Sequence, residues 1–274
     1  MRAAPIGVFD SGLGGLTVFD RLCAALPEQS FTYYADSAHA PYGDRPPGEI
    51  HDLTRAACAA LFARGCRLVL LACNTAAAVA LRRLQEEWVP TDRRVLGVFV
   101  PVIEAIAGRA WGSPAPPGLA AAGARRILLF ATPATVASGA FQRELALRVR
   151  GVAVGAVPCP DLVPLIEAGD MTAAGAAAAR YAMLGLRALP HPDIAVLGCT
   201  HYPLVGDAFA AALPPGPRIL SQPDLVAAAT RDYLCRHPRL AGKGPVTYLT
   251  TGVPAKVGAA AARMTGRRRA FEPA

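Results

Sequence analysis

The chain has 274 residues, 53% of them hydrophobic and 18% charged, enough apolar mass for one large core or two smaller ones, which excludes disorder as the prevailing state. No apolar run stays free of arginine, proline or turn residues for the length a bilayer requires, and Met1-Arg2-Ala3-Ala4-Pro5 leads straight into a strand-like segment rather than a secretory leader. The net charge of +8, from 28 basic and 20 acidic residues, is spread out except for Arg267-Arg268-Arg269, which reads as a solvated tail rather than a direct nucleic-acid site.

In chain order, four short apolar runs each close in a polar turn and lead into a helical stretch, the pattern of buried parallel strands in βαβ units. Ile6-Gly7-Val8-Phe9 ends in Asp10-Ser11-Gly12, and Leu68-Val69-Leu70-Leu71-Ala72 ends in Cys73-Asn74-Thr75. Ile127-Leu128-Leu129-Phe130-Ala131 ends in Thr132-Pro133-Ala134-Thr135, and Ile194-Ala195-Val196-Leu197-Gly198 ends in Cys199-Thr200-His201. Asp10 to Cys73 is 63 positions and Thr132 to Cys199 is 67, so the chain repeats one plan. We expect two pseudo-symmetric α/β domains with mainly parallel sheets and a ligand cleft between them, at the carboxyl ends of the strands. The Pro-, Gly- and Ala-rich stretch from Gly112 to Gly123 reads as a surface excursion, and Pro214-Pro215-Gly216-Pro217 as a second break. Arg218-Ile219-Leu220 and Val246-Thr247-Tyr248-Leu249 read as further strands, followed by a last helix from about Pro254 to Met264. The expected division is 1–98 plus 213–274 for the first domain, with the C-terminal segment returning to it, and 99–212 for the second.

Seven scattered cysteines with no CxxC pair suggest neither a disulfide framework nor a zinc ribbon, and fit the reducing cytosol. The only lysines, Lys243 and Lys256, sit at no strand end, which leaves a pyridoxal cofactor little to attach to. Gly12, Gly14 and Gly15 do not complete a GxGxxG, because Thr17 occupies the last position, and no Walker lysine follows. No metal site is expected around Cys199 and His201.

A cysteine at a strand end is commonly a small buried hydrophobe. Here both Cys73 and Cys199 precede hydrogen-bonding residues, Asn74-Thr75 and Thr200-His201, at matching places in the repeat, and amides at a following helix N-terminus raise the thiolate fraction. Two such thiols in one cleft form an acid and a base that exchange roles, the arrangement needed to take a proton from one face of a carbon and return one to the other. That describes a racemase. The rival is covalent catalysis, with Cys199 or Cys73 attacking an acyl centre and His201 as base, which leaves one thiol idle. Asp10-Ser11 serves either as a plain turn or as an orienter near an amino group and a donor to a carboxylate. Pro41-Tyr42-Gly43 is likewise a turn, or a low-bulk stretch whose amides suit a carboxylate.

Across these residues the sequence closely resembles the cofactor-independent glutamate racemases of bacteria, almost from end to end. The motifs are Ile-Gly-Val-Phe-Asp-Ser-Gly-Leu-Gly-Gly-Leu-Thr from Ile6, Asp36 through Tyr42-Gly43, Ala-Cys-Asn-Thr-Ala from Ala72, Ala-Thr-Pro-Ala-Thr-Val from Ala131 and Gly-Cys-Thr-His-Tyr-Pro from Gly198. The resemblance implies that Cys73 and Cys199 are the acid/base thiols, that Asp10 and His201 assist them, and that Glu167 is the family acid near the second thiol. It implies further that Asp10-Ser11, Tyr42-Gly43, Asn74-Thr75 and Thr200-His201 hold glutamate, with Thr132 and Thr135 as lesser contacts. It implies no cofactor and no metal, a cytoplasmic enzyme supplying D-glutamate for peptidoglycan, and as partner expectations a homodimer and an interaction with DNA gyrase. A racemase of the same family acting on aspartate or another acidic substrate stays an alternative, as does the cysteine hydrolase above. Departures are Ser221-Gln222 where an Asp-Ser pair is usual, Phe141 where tyrosine is common, His39 where arginine is frequent, and the Pro-rich stretch from Gly112, which reads as an insertion. These are expected to bear on local packing, association or regulation rather than on the reaction.

Overall fold

The computed structural model describes residues 4–108, 118 and 123–274. Of the expected surface excursion, only Gly118 and Gly123 fall within the described residues. The first half runs β1 (Ile6–Asp10), α1 (Leu16–Ala25), β2 (Phe31–Ala35), α2 (Pro47–Ala63), β3 (Leu68–Leu71), α3 (Asn74–Glu87), β4 (Arg94–Gly97) and α4 (Phe99–Ala107). The second runs β5 (Arg126–Ala131), α5 (Pro133–Ser138), α6 (Ala140–Ala146), β6 (Ala153–Pro158), α7 (Leu162–Ala168), α8 (Met171–Ala188), β7 (Ile194–Gly198), a 3-10 turn (Tyr202–Val205), α9 (Gly206–Ala212) and β8 (Arg218–Leu220). The chain then adds α10 (Gln222–Arg236), a second 3-10 turn (Pro238–Leu240), β9 (Val246–Thr250), α11 (Pro254–Thr265) and β10 (Phe271–Pro273).

These strands form two all-parallel sheets, in the orders β10-β9-β2-β1-β3-β4 and β6-β5-β7-β8. The order β2-β1-β3-β4 is repeated as β6-β5-β7-β8, so the pseudo-repeat seen in the spacing is a repeat of topology. In each sheet the chain moves to one side of its first strand and then returns to the other, which places a switch point between β1 and β3 and another between β5 and β7. Ligands of open parallel sheets bind beyond such points, and Asp10, Cys73, Thr132 and Cys199 stand there.

Continuous apolar runs become strands here because both faces of each sheet are buried. Alternate residues of β1 and β7 show this: Phe9 and Val196 face a core shared by the two sheets, whereas Val8 and Leu197 face the helices outside. The shared core draws Val69, Leu71 and Val95 from one sheet, Ile127 and Leu129 from the other, and Val102 and Ile103 from α4. Helix α10, which follows β8 of the second sheet, packs on α1 and α4 and contributes Val226, Ala227 and Leu234 to the outer core of the first. Arg218–Leu220, placed with the first domain by the sequence reading, pairs with β7 in the second sheet.

The basic tail is not wholly solvated. Arg267 and Arg268 are exposed, but the Arg269 side chain is only 3% exposed. Its Nη2 donates to both carboxylate oxygens of Asp20 on α1, at 2.6 and 2.8 Å. Phe271–Pro273 then adds the edge strand β10 beside β9. Among the described residues no helix is long and apolar enough to cross a membrane.

Candidate active site

The four polar turns meet in one cleft of about 450 Å³, counting its open mouth. From the first half it is lined by Ser11, Tyr42, Gly43, Cys73, Asn74 and Thr75, and from the second by Thr132, Cys199, Thr200 and His201. Asp10 and Thr135 of the sequence-derived set are buried behind it, and Glu167, partly exposed, meets it through His201. Pro41 and Pro133, inside turns quoted from the sequence, also line it, as do Cys159 and Val163, which the sequence reading did not place there.

Cys73 caps α3. The Ala76 amide donates to its sulfur at 3.4 Å, and the thiol lies 3.4 Å from Ser11 Oγ. Burial, with the Asp10 carboxylate adding to it, pushes this thiol up to about 12 against the opposing pull of those two contacts. Asp10 is itself fully buried, and burial raises its carboxyl above the usual range despite His201 and the amides of Gly15 and Gly12.

Cys199 occupies the matching strand end but a different setting. No α-helix follows it directly; Thr200 and His201 lead into the 3-10 turn, so the helix-terminus expectation applies to Cys73 alone. Its sulfur faces His201 Nδ1 at 3.8 Å, and His201 Nε2 meets Glu167 Oε1 of α7 at 3.0 Å. Burial disfavours the imidazolium, but the contacts with Cys199 and Glu167 outweigh it and hold His201 up to about 10.

The halves are pinned together around the cleft. Thr17 Oγ1 donates to the Thr200 carbonyl at 2.9 Å, the Ala134 amide to the Gly43 carbonyl at 2.9 Å, and Thr75 and Thr132 hydroxyls meet at 2.9 Å, with Thr135 completing that cluster. Gly14 passes so close to the second half that a Cβ there would stand 2.4 Å from the His201 ring. The segment carrying Tyr42 and Gly43, which contains a cis Ala40–Pro41 bond, is tied to buried Asp36. That carboxylate accepts from Tyr42 Oη at 2.5 Å and Thr251 Oγ1 at 2.7 Å, and meets His39 Nδ1 at 2.8 Å. Asp36 and Thr17 lay inside quoted motifs, but nothing local in the sequence marks Thr251 as a partner. Of the departures, Phe141 is buried edge-on to Phe99 in the shared core. Gln222 donates to Asn74 Oδ1 at 3.1 Å, so this departure reaches the cleft instead of remaining a matter of packing. Among the described residues no group of three or more His, Cys, Asp or Glu side chains is arranged to hold a metal ion.

No protein-family model matches the chain. A glutamate racemase from Roseobacter denitrificans, however, is 54% identical over 269 residues, covering 98% of this chain and 99% of that protein. The chain belongs to the glutamate racemase family. Solved glutamate racemases share the fold over nearly its whole length. The Thermus thermophilus enzyme in complex with β-chloro-D-alanine is 35% identical with a TM-score of 0.81, over 99% of this chain and 96% of that one. A Bacillus anthracis isoform is 26% identical with a TM-score of 0.87, over 100% and 98%. Racemases are isomerases, and the two α/β domains seen here are those of this family.

Proposed function

We propose that this chain interconverts L- and D-glutamate by a 1,1-proton transfer at Cα, with Cys73 and Cys199 as the two bases. The observation that carries this reading is the placement of two thiols at equivalent strand ends of a repeated topology, lining one cleft from opposite halves. Their settings differ: Asp10 stands behind the first thiol and His201 beside the second. Burial and Asp10 keep Cys73 a thiol near neutral pH, and His201, held up to about 10, stands 3.8 Å from the Cys199 sulfur. Cys199 then removes the α-proton from one face while Cys73 delivers its proton to the other, and the reverse reaction starts from the opposite protonation state.

The α-proton of an amino acid is far less acidic than a thiol, so the carbanionic transition state must be stabilised by donors fixed before the reaction begins. In this reading Ser11, Asn74, Thr75 and Thr200 supply them to the α-carboxylate, the Tyr42-Gly43 segment and the Thr75–Thr132–Thr135 cluster measure the rest of the substrate, and Asp10 orients the amino group from behind Ser11. Glu167 holds the His201 ring. The reaction needs no cofactor or metal, and it supplies D-glutamate for peptidoglycan in the cytoplasm. The domain division that goes with it follows the sheets, with Gly118, which pairs with Val149, and 123–220 as one lobe and, among the other described residues, 4–108 and 221–274, including α10, as the other.

The Cys199–His201–Glu167 alignment favours a second reading, a cysteine hydrolase with nucleophile, base and orienter. Incubation with L-glutamate in deuterated water, without added cofactor, separates the two. Loss of optical rotation together with deuterium at Cα is expected, with L-aspartate run in parallel to fix the substrate. A folded, reduced protein that exchanges neither amino acid overturns the racemase reading.

A further inference from the structure

Gln222 is fully buried at the first turn of α10, 148 positions from the residue it touches. Its Nε2 donates to Asn74 Oδ1 at 3.1 Å, while Asn74 lines the cleft immediately after Cys73. Asn74 is 2% exposed, and its Nδ2 is buried without a hydrogen-bond partner. A buried donor left unpaired costs free energy. A primary amide that spends its oxygen on one neighbour presents its NH2 to the other side, and Asn74 is one of the residues lining the cleft.

We infer that Gln222 is a positioning residue: by donating to Asn74 Oδ1 it fixes the orientation of the Asn74 amide so that Nδ2 donates to a carboxylate of the bound substrate. This rests on the glutamate racemase reading and adds to it a group outside the four strand-end turns. It also gives α10, which leaves the second sheet and packs on the first half, a direct hold on the substrate site. The hydrogen-bond arithmetic distinguishes this from plain packing. A methionine at 222 fills the space and donates nothing, which frees the Asn74 amide to rotate. A glutamate at 222, when ionised, only accepts; it turns the Asn74 NH2 toward itself and presents Oδ1 to the substrate carboxylate, an acceptor facing an acceptor.

Asn74 is the only asparagine in the sequence, so labelling asparagine with 15N at Nδ2 yields one side-chain NH2 signal pair. In the wild-type protein that pair should move on saturation with glutamate. In Gln222→Met the movement should shrink and KM should rise about tenfold, the cost of about 1.4 kcal/mol of binding, with kcat changed less than about threefold. Gln222→Glu should raise KM further still. Thermal melting checks that each variant is folded, and Gln222→Ala replaces either variant that is not. Wild-type KM and an unaltered shift in the folded variants would overturn the inference, as would a wild-type signal that stays still while glutamate is racemised. If the wild-type protein neither binds nor racemises glutamate, the proposed function itself falls, and the inference with it.

Discussion

Cys73 and Cys199 occupy equivalent strand ends, yet the groups behind them are of opposite sign. Asp10 and burial keep the first sulfur protonated, whereas the second faces an imidazole whose far nitrogen is held by Glu167. Serine at either position is too weak an acid and base for the step, so Cys73→Ser and Cys199→Ser are each expected to lower steady racemisation by at least about 10³-fold, roughly 4 kcal/mol of transition-state stabilisation, with thermal stability retained. Full activity in either variant would sink the two-thiol mechanism. His201 gives a pH signature. Its folded value, about 10, lies above the ordinary 6.5, so its contribution to stability is complete below about pH 6.5 and is lost as the pH climbs toward 10. Melting temperature should therefore fall between pH 7 and about 8.5, before thiols that burial holds protonated in the fold, such as Cys58 and Cys66, begin to ionise in the unfolded chain. His201→Gln should flatten that slope. An unchanged slope would place the titrating group elsewhere.

At the scale of elements, the loop from β1 to α1 does more than carry Asp10 and Ser11. Gly14 runs beneath the His201 ring, and Thr17, in the first turn of α1, donates to the Thr200 carbonyl across the cleft. A methyl at Gly14 would also lie 2.5 Å from Thr200 Oγ1. Gly14→Ala is therefore expected to cost about 1–3 kcal/mol of stability from overpacking and about 100-fold or more in kcat, because small misplacements of reacting groups are that expensive. Gly48→Ala is the control, since a Cβ there meets nothing within 4 Å; chemical denaturation and initial rates on the two variants make the comparison. The strand-end turns were legible in the sequence because each sits beside its own strand and repeats at matched spacing. The side chains that fix those turns were not: Thr251 meets Asp36 from 215 positions away and Gln222 meets Asn74 from 148, and no local pattern encodes such pairs. Arg269 misleads for a related reason, since a run of three arginines reads as solvated until α1 brings Asp20 beneath one of them.

Over the whole molecule, the two-half plan could be read from the repeat of apolar runs and polar turns, but the way the halves are joined could not. Strand β8 stays with the second sheet while α10 crosses to the first, and one core takes side chains from both sheets. Lobes joined in this way should not melt separately. Calorimetry is expected to show a single transition whose van't Hoff and calorimetric enthalpies agree, and two resolved transitions would contradict the shared core.

The position of β9 in the first sheet bears on how the chain is made. β9 pairs with β2 and supplies Thr251 to the Asp36 network, yet it is synthesised about 210 residues after β2. At translation rates of roughly 5–20 residues per second, the edge of β2 waits some 10–40 s for its neighbour. Throughout that interval the Tyr42-Gly43 segment lacks one of its ties. Only about 47 residues of that stretch follow Cys199, so the nascent chain carries both thiols for only seconds before β9 arrives, and a ribosome that stalls before Val246 releases a protein with an open sheet edge, a target for chaperones and proteases rather than a slow enzyme.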